Sequence, residues 1–239
     1  MYAARVTAPS VFETVVPGTI WVTERPVWYA GVCQRARTTV VRLAGDALWV
    51  HSPTTPTDEV CAALDALGEV RFIVVPNKFH HLAAPATAAR YPSALVVGPK
   101  SAEARNPELR LTAGLDDAEY LRQTPELVPL DVGGVPFLDE TVFFHQPTGS
   151  LIAADLLTSA CARDHWTWRF AARVWGRYGK VKTPPDVRWS TRPSAAATES
   201  IARLRELPME RILVAHADPI TERPAEQLAS AWQFAMTKG

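Results

Sequence analysis

Residues 71–81 read Arg-Phe-Ile-Val-Val-Pro-Asn-Lys-Phe-His-His. The run at 72–75 is short, apolar and rich in β-branched side chains, which is typical of a strand buried on both faces of its sheet. A proline ends this strand, and the polar turn after it carries Lys78, His80 and His81. Open α/β sheets bind their ligands at the carboxyl ends of strands, so these side chains are the first candidates for a functional site.

The stretch before this strand predicts an antiparallel arrangement. Strand-like runs lie at 19–23, 38–43 and 47–51, and Ala44-Gly45-Asp46 separates the last two. A three-residue connection with glycine between two apolar runs is a hairpin signal. We therefore expect these three runs to pair antiparallel.

The rest of the chain alternates strands and helices in two halves. Strands are predicted at 94–97, 127–130, 141–145, 150–154 and 211–215, and helices at 55–67, 100–105, 194–207 and 223–237, whereas 106–125 shows no clear period. Helices that flank two sheets give an α/β (α+β) fold, a four-layer αββα sandwich. A chain of 239 residues is long enough to form it as one domain, residues 1–239.

Charge and cysteine content restrict the classes of partner. Lys plus Arg and Asp plus Glu both number 25, so the overall balance does not favour nucleic acid. The three cysteines are far apart and lack a C-x-x-C spacing, which argues against a disulfide framework and a thiolate zinc site. No run approaches the ~18 apolar residues of a membrane span, and the first residues lack a signal-peptide pattern. We expect a cytoplasmic protein.

Residues 162–182 predict a basic, aromatic, amphipathic helix within an insertion at about 160–190. On a helical wheel, Trp168, Phe170, Val174, Trp175 and Tyr178 lie on one side, and Arg169, Arg173 and Arg177 lie on the other. Three interpretations remain open. The helix is a lid whose aromatics line an apolar substrate pocket, it attaches to a membrane surface, or it packs its aromatics on the core.

Three motifs resemble those of the metallo-β-lactamase-like superfamily. They are Leu48-Trp49-Val50-His51-Ser52-Pro53, Pro76-Asn77-Lys78-Phe79-His80-His81, and Val142-Phe143-Phe144-His145 followed by Asp155. More narrowly, they resemble a branch known only as a domain of unknown function. The resemblance covers nearly the whole chain and implies the αββα fold.

The superfamily's His-x-His-x-Asp-His motif is degenerate here. Pro76 and Lys78 stand in place of its first two histidines, His80 stands in place of its Asp, and His81 matches its last His. The histidine expected in the third region is missing from Gly133-Gly134-Val135-Pro136. The resemblance therefore implies that the first of the two metal sites cannot form.

A second metal site is what the resemblance leaves. It implies His81, Asp155 and His216 as ligands, with His80 as a fourth. Imidazoles with one carboxylate suit zinc, iron or manganese. One divalent ion would activate water, Asp155 would help to hold it, and the Lys78 ammonium would stabilise charge on the attacked group, as in a metal-dependent hydrolase of small molecules.

The same residues allow a second interpretation, in which no metal binds. Lys78 and Asp155 would then form a partly buried ion pair, and the histidines would satisfy its remaining hydrogen bonds. The protein would be a non-catalytic relic of the fold that binds a small ligand or a protein partner.

Three further histidines are weaker candidates. His51 ends a strand where it is either near the metal or a hydrogen-bonded histidine under a loop. His145 precedes a tight turn and is expected to be exposed. His165 lies among tryptophans and is expected to be structural or part of the lid.

Overall fold

The computed structural model describes residues 11–237. It contains two β-sheets with helices packed on their outer faces. The strands are β1 (Glu13–Val16), β2 (Ile20–Tyr29), β3 (Val32–Arg42), β4 (Ala47–His51), β5 (Glu69–Val74), β6 (Leu95–Val97), β7 (Leu127–Asp131), β8 (Thr141–His145), β9 (Ser150–Ile152) and β10 (Arg211–Leu213). The helices are α1 (Asp58–Leu67), α2 (Ala84–Arg90), α3 (Lys100–Arg105), α4 (Ala118–Gln123), α5 (Trp166–Val174), α6 (Pro185–Ser190), α7 (Ala195–Arg205) and α8 (Pro224–Trp232).

The first sheet has the order β1-β2-β3-β4-β5-β6. Strands β2, β3 and β4 pair antiparallel, as predicted, whereas β4, β5 and β6 pair parallel. Gly45 has a φ of +72° in the β3–β4 turn, a conformation that glycine adopts without steric cost. β2 and β3 extend well beyond the predicted runs, and their far ends project as a hairpin that closes at Ala30 and Gly31.

The second sheet has the order β10-β9-β8-β7. β8 pairs antiparallel with both β7 and β9, and β10 joins β9 in parallel. All four strands fall within the predicted runs or extend them by one residue. The arrangement brings the ends of β5, β9 and β10 to the same side of the molecule, where the polar side chains after each strand meet.

Three apolar clusters separate the layers. One lies between the two sheets and contains Trp49, Phe72 and Phe143. A second lies between the first sheet and helices α1 to α3. The third lies between the second sheet and helices α7 and α8, with Trp232 at its centre. Helix, sheet, sheet and helix therefore form four layers, and the predicted αββα architecture is confirmed.

The insertion differs from the predicted helix. α5 covers only Trp166–Val174, and the chain turns away at Gly176, where φ is +67°. A second helix, α6, begins at Pro185. No helix in residues 11–237 is both long enough and apolar enough to cross a membrane.

Candidate metal centre and its pocket

A buried asparagine shapes the turn after β5. The Asn77 side-chain oxygen accepts hydrogen bonds from the backbone N–H groups of Phe79 (2.8 Å) and His80 (3.0 Å). This is an Asx turn, in which the side chain replaces a backbone acceptor. The Asn77 amide nitrogen donates to Asp155 Oδ2 at 2.9 Å. Asn77 therefore orients His80 and links it to Asp155.

His80, Asp155 and His216 meet at one point. His80 Nε2 lies 3.3 Å from Asp155 Oδ2, and His216 Nε2 lies 3.3 Å from Asp155 Oδ1. One nitrogen or oxygen from each side chain lies within 4.8 Å of the others. Each carboxylate oxygen thus faces one imidazole, and the three donor atoms point toward a common space.

The outer nitrogen of each imidazole has its own partner. His216 Nδ1 donates to the Arg35 carbonyl oxygen at 2.5 Å, because a carbonyl can only accept. The proton of the neutral ring therefore resides on Nδ1 and leaves a lone pair on Nε2, the nitrogen that faces Asp155. His80 Nδ1 lies 2.6 Å from the Ser52 hydroxyl. Ser52 has a φ of +53°, a strained conformation that brings this hydroxyl under His80.

A charged network holds the backbone behind His216. Arg35 contacts Asp164 (2.6 Å), Asp218 (2.8 Å) and Glu24 (3.2 Å) through its guanidinium. These carboxylates come from β2, from the segment before α5 and from the loop after β10. The carbonyl that orients His216 belongs to Arg35, and the network therefore ties this residue to three separate parts of the chain.

Electrostatics favour an ionised carboxylate at the centre. Burial alone would raise the pKa of Asp155, but His80 and His216 outweigh it and hold the pKa well below its usual value. Burial would lower the pKa of His216, yet the hydrogen bond and charge of Asp155 raise it. Asp155 is thus an anion that attracts a positive charge, which either a metal ion or a protonated imidazole supplies.

Glu140 lies directly behind this carboxylate. It is buried, and its Oε1 accepts a hydrogen bond from the Ala154 N–H at 2.7 Å. Its Oε2 accepts from the Asp155 N–H (3.0 Å) and the Asn77 amide (3.2 Å). Burial, together with the charge of Asp155, raises the pKa of Glu140 to about 8. Neither Asn77 nor Glu140 is predicted as a site residue, because the only signal that the sequence gives for each is a polar residue next to a predicted buried strand.

The structure places the two adjacent histidines differently from the prediction. His80, assigned as an optional fourth ligand, belongs to the central group, whereas His81 does not. His81 Nδ1 instead lies 3.2 Å from the Asn106 amide nitrogen, and burial lowers the pKa of its imidazole. The physical reason is the Asx turn, which directs successive side chains to different sides.

Lys78 does not approach Asp155 as predicted. Its ammonium donates to the Pro136 carbonyl at 2.5 Å. Within residues 11–237, Asp155 has His80 and His216 as its ion-pair partners, and Lys78 has none. The predicted Lys78–Asp155 ion pair is therefore wrong, and this placement gives no support to the predicted catalytic role of Lys78.

The other histidines lie outside the central group. His51 is buried, stacks on Trp49 with ring centroids 5.3 Å apart, and leaves its Nε2 without a hydrogen-bond partner in the described part of the chain. His145 is buried rather than exposed as predicted, and its Nδ1 lies 2.8 Å from the Thr148 hydroxyl. His165 caps α5 by accepting the Thr167 N–H.

A cavity of about 530 Å³ opens above the central group. His80, Asp155 and His216 form part of its lining, together with side chains from the β2–β3 hairpin and from α5 and α6. Trp168 and Trp175 line this cavity. The outer face of α5 does not pack on the core, because Phe170 and Val174 are both 67% exposed.

Comparisons with known proteins agree with this architecture. The model of a domain of unknown function, DUF4336, matches residues 17–101. No curated protein matches the sequence. A metallo-β-lactamase from Erythrobacter litoralis with β-mercaptoethanol in its active site is similar in structure, with a TM-score of 0.66 and 16% identity over 93% of this chain and 95% of that one.

Two other solved structures give the same result. A metallo-β-lactamase from Pontibacter korlensis has a TM-score of 0.62 and 13% identity over 93% of this chain and 99% of that one. The metallo-β-lactamase FIM-1 from Pseudomonas aeruginosa, in its mono-zinc form, has a TM-score of 0.60 and 13% identity over 95% of this chain and 97% of that one. At such low identity the similarity establishes the fold and leaves the activity to the residues of the site.

Proposed function

We propose that this chain, which has the metallo-β-lactamase fold, is a metal-dependent hydrolase with a single metal site formed by His80, Asp155 and His216. The observation that carries the proposal is the meeting of these three side chains at the floor of a cavity. Two imidazoles and one carboxylate are a donor set that suits zinc and also iron or manganese. The mono-zinc form of FIM-1 supports the use of one ion in this fold.

The side chains around the centre fit a bound cation. Asp155 stays ionised because its two imidazole neighbours lower its pKa. The Arg35 carbonyl holds the His216 proton on Nδ1, so Nε2 is free to donate its lone pair. Ser52 and Asn77 fix the position of His80. A divalent ion bound here would polarise a substrate carbonyl or phosphoryl oxygen and lower the pKa of water.

One observation favours the alternative, a metal-free protein that binds a ligand. Both imidazoles lie 3.3 Å from the Asp155 oxygens, so a protonated His216 would already neutralise this carboxylate. The raised pKa of His216 is consistent with such an ion pair. The two functions differ in whether the apoprotein takes up a metal ion, which can be measured directly.

Zinc titration of the untagged, chelator-treated protein tests the proposal. We expect one equivalent of zinc to bind and to raise the melting temperature, because the ion binds the folded chain preferentially. Substitution of His80→Ala or His216→Ala is expected to weaken zinc binding by about tenfold or more, since each removes a direct donor. Calorimetry gives the stoichiometry and affinity, and hydrolysis of a panel of chromogenic esters is then measured with and without zinc.

His81→Ala is the matched control. It removes the neighbouring imidazole, which contacts Asn106 and lies outside the central group. We expect this variant to bind zinc like the wild-type protein. Binding of less than about one zinc in ten chains would contradict the proposal, as would an equal loss in His81→Ala and His80→Ala.

A further inference from the structure

One wall of the cavity is a single face of the β2–β3 hairpin. Side chains alternate along a strand, so Arg25, Val27 and Tyr29 share a face of β2. Their partners in register on β3 are Ala36, Gln34 and Val32, and all six residues line the cavity. At about 3.3 Å per residue, this wall runs roughly 13 Å from Arg25 to Tyr29.

A second part of the lining is aromatic. Trp168, Trp175 and Trp189 line it in succession, with ring centroids 6.3 Å apart for the first pair and 6.2 Å for the second. Trp189 is 69% exposed at the outer end. Large apolar side chains that remain exposed around a concave site indicate a ligand with a substantial apolar part.

The inner end of the hairpin wall carries a positive charge. Arg25 is half-buried, and within residues 11–237 it has neither a hydrogen bond nor an ion pair through its side chain. Arg37 on the adjacent strand differs, because its guanidinium contacts Glu24 at 2.5 Å and the Val214 carbonyl at 2.9 Å. Burial lowers the pKa of Arg25.

Register places Arg25 on the part of the hairpin next to the candidate centre. Arg25 lies opposite Ala36 in the β2–β3 pair, and the preceding residue, Arg35, provides the carbonyl that binds His216. A second cation, Arg105, lies at the rim with its guanidinium 4.6 Å from the centre of the Phe79 ring. Near the centre the lining therefore carries Arg25 and Arg105 beside the Asp155 anion, and toward the tryptophans it is apolar apart from Asp186.

We propose that the cavity binds an amphipathic molecule, with a carboxylate or ester head beside Arg25 and an apolar chain that contacts the hairpin and the exposed Trp175 and Trp189. A guanidinium recognises a carboxylate by two parallel hydrogen bonds. Binding of the carboxylate does not require the metal. The corresponding substrate class, which rests on the proposed hydrolase function, is an ester of an apolar carboxylic acid.

The hydrolytic step that this class implies is balanced by water alone. The oxygen of water bonds to the acyl carbon, the ester C–O bond breaks, and the leaving alcohol takes a proton. The second proton of the water is released to solvent, because the product is a carboxylate. Arg25 is placed to pair with that carboxylate, whereas the uncharged ester gains less from the guanidinium.

Decanoate binding, followed by the fluorescence of the cavity tryptophans, tests this inference with and without one equivalent of zinc. We expect saturable binding of decanoate at concentrations below those that form micelles, and much weaker binding of acetate. Arg25→Gln is expected to weaken the binding of decanoate about tenfold, which is the usual effect of losing one hydrogen bond to a charged group. The same substitution should change the binding of decanol little. Arg25→Lys, which keeps the charge, should recover part of the loss.

Arg192→Gln is the matched control, because Arg192 is exposed and lies outside the cavity lining. We expect it to bind decanoate like the wild-type protein. Equal affinities for decanoate in wild type and Arg25→Gln would overturn the inference, and so would binding that requires micelles or anionic vesicles, which would indicate a lipid surface instead. Decanoate binding without any zinc uptake would support the ligand class while contradicting the hydrolase function.

Discussion

A His51→Leu variant is expected to resist acid better than the wild-type protein. His51 is 1% exposed, and burial, with a smaller contribution from the charge of His80, lowers its pKa to about 3. Its pKa in the unfolded chain is about 6.5. A histidine whose pKa is lower in the folded than in the unfolded chain stabilises the protein fully when the pH is above the unfolded-state pKa. This stabilisation is lost as the pH falls from about 6.5 toward 3.

The size of the effect follows from the shift. Between pH 7 and about pH 4, protonation of His51 in the unfolded chain alone costs the wild-type protein about 3 kcal/mol of its free energy of unfolding. Leucine fills a similar volume between Trp49 and Phe143 and does not titrate. The difference in free energy of unfolding between variant and wild type should therefore change by about 3 kcal/mol in favour of the variant over this range. Urea unfolding at several pH values measures it.

His165→Asn is the control for this prediction. His165 is exposed and caps α5, and asparagine keeps a side-chain acceptor at that position. Because this variant retains His51, it should keep the loss of stability expected between pH 7 and about pH 4. If His51→Leu also followed the wild-type curve, His51 would have to be protonated in the folded protein, which its burial between two aromatic rings opposes.

The sequence predicts the strands of this fold better than the exact geometry of its site. Apolar runs such as 72–75 specify buried strands directly, and the turn at Gly45 specifies a hairpin. α4 (Ala118–Gln123) was not predicted, because it lies in the interval 106–125, which shows no clear hydrophobic period. Its start is set by the Asp117 carboxylate, which accepts two backbone N–H groups.

The exchange of His80 and His81 has a local cause. Resemblance to a motif assigns metal ligands by their position in the sequence. Which side chain reaches the centre, however, depends on the conformation of the turn that contains these residues. Here Asn77 closes the turn by accepting the N–H groups of Phe79 and His80. Lys78 was expected beside Asp155 for the same reason, yet the amide of Asn77 occupies that place. Spacing along the sequence does not encode this choice.

The interval 162–182 shows the limit of periodicity. Its pattern continues through Tyr178, but the helix ends before Gly176, and the Arg173 guanidinium then lies 3.7 Å from the centre of the Tyr178 ring. The expected burial holds for Trp168, which is 2% exposed, whereas Phe170 faces solvent. The helix is therefore partly a wall of the cavity and partly an exposed surface, a combination that a helical wheel does not separate.

Glu140 connects stability to the candidate site through two opposing effects. Its carboxyl group accepts hydrogen bonds from the backbone N–H groups of Ala154 and Asp155, which would be left buried and unpaired without it. It also accepts from the Asn77 amide, which would keep its hydrogen bond to Asp155. Each such loss costs about 1–3 kcal/mol. The ionised form, however, is unfavourable beside Asp155, and burial with that charge raises the pKa of Glu140 to about 8.

Glu140→Ala is expected to lower the free energy of unfolding by about 3–5 kcal/mol at pH 6, with exposed Glu108→Ala as a neutral control. The loss should shrink with rising pH. A carboxyl group whose pKa is raised in the folded protein stabilises it fully when the pH is below the unfolded-state pKa of about 4.5. This stabilisation is lost as the pH rises through about 8. Between pH 6 and 9 the free energy of unfolding of the wild-type protein should therefore fall by about 2–3 kcal/mol, and that of the variant should not show this fall. Denaturant unfolding measures both the loss at pH 6 and its change with pH. A chelator is included, because a bound cation would favour the ionised form of Glu140. A wild-type stability that stayed constant between pH 6 and 9 would mean that Glu140 is ionised throughout.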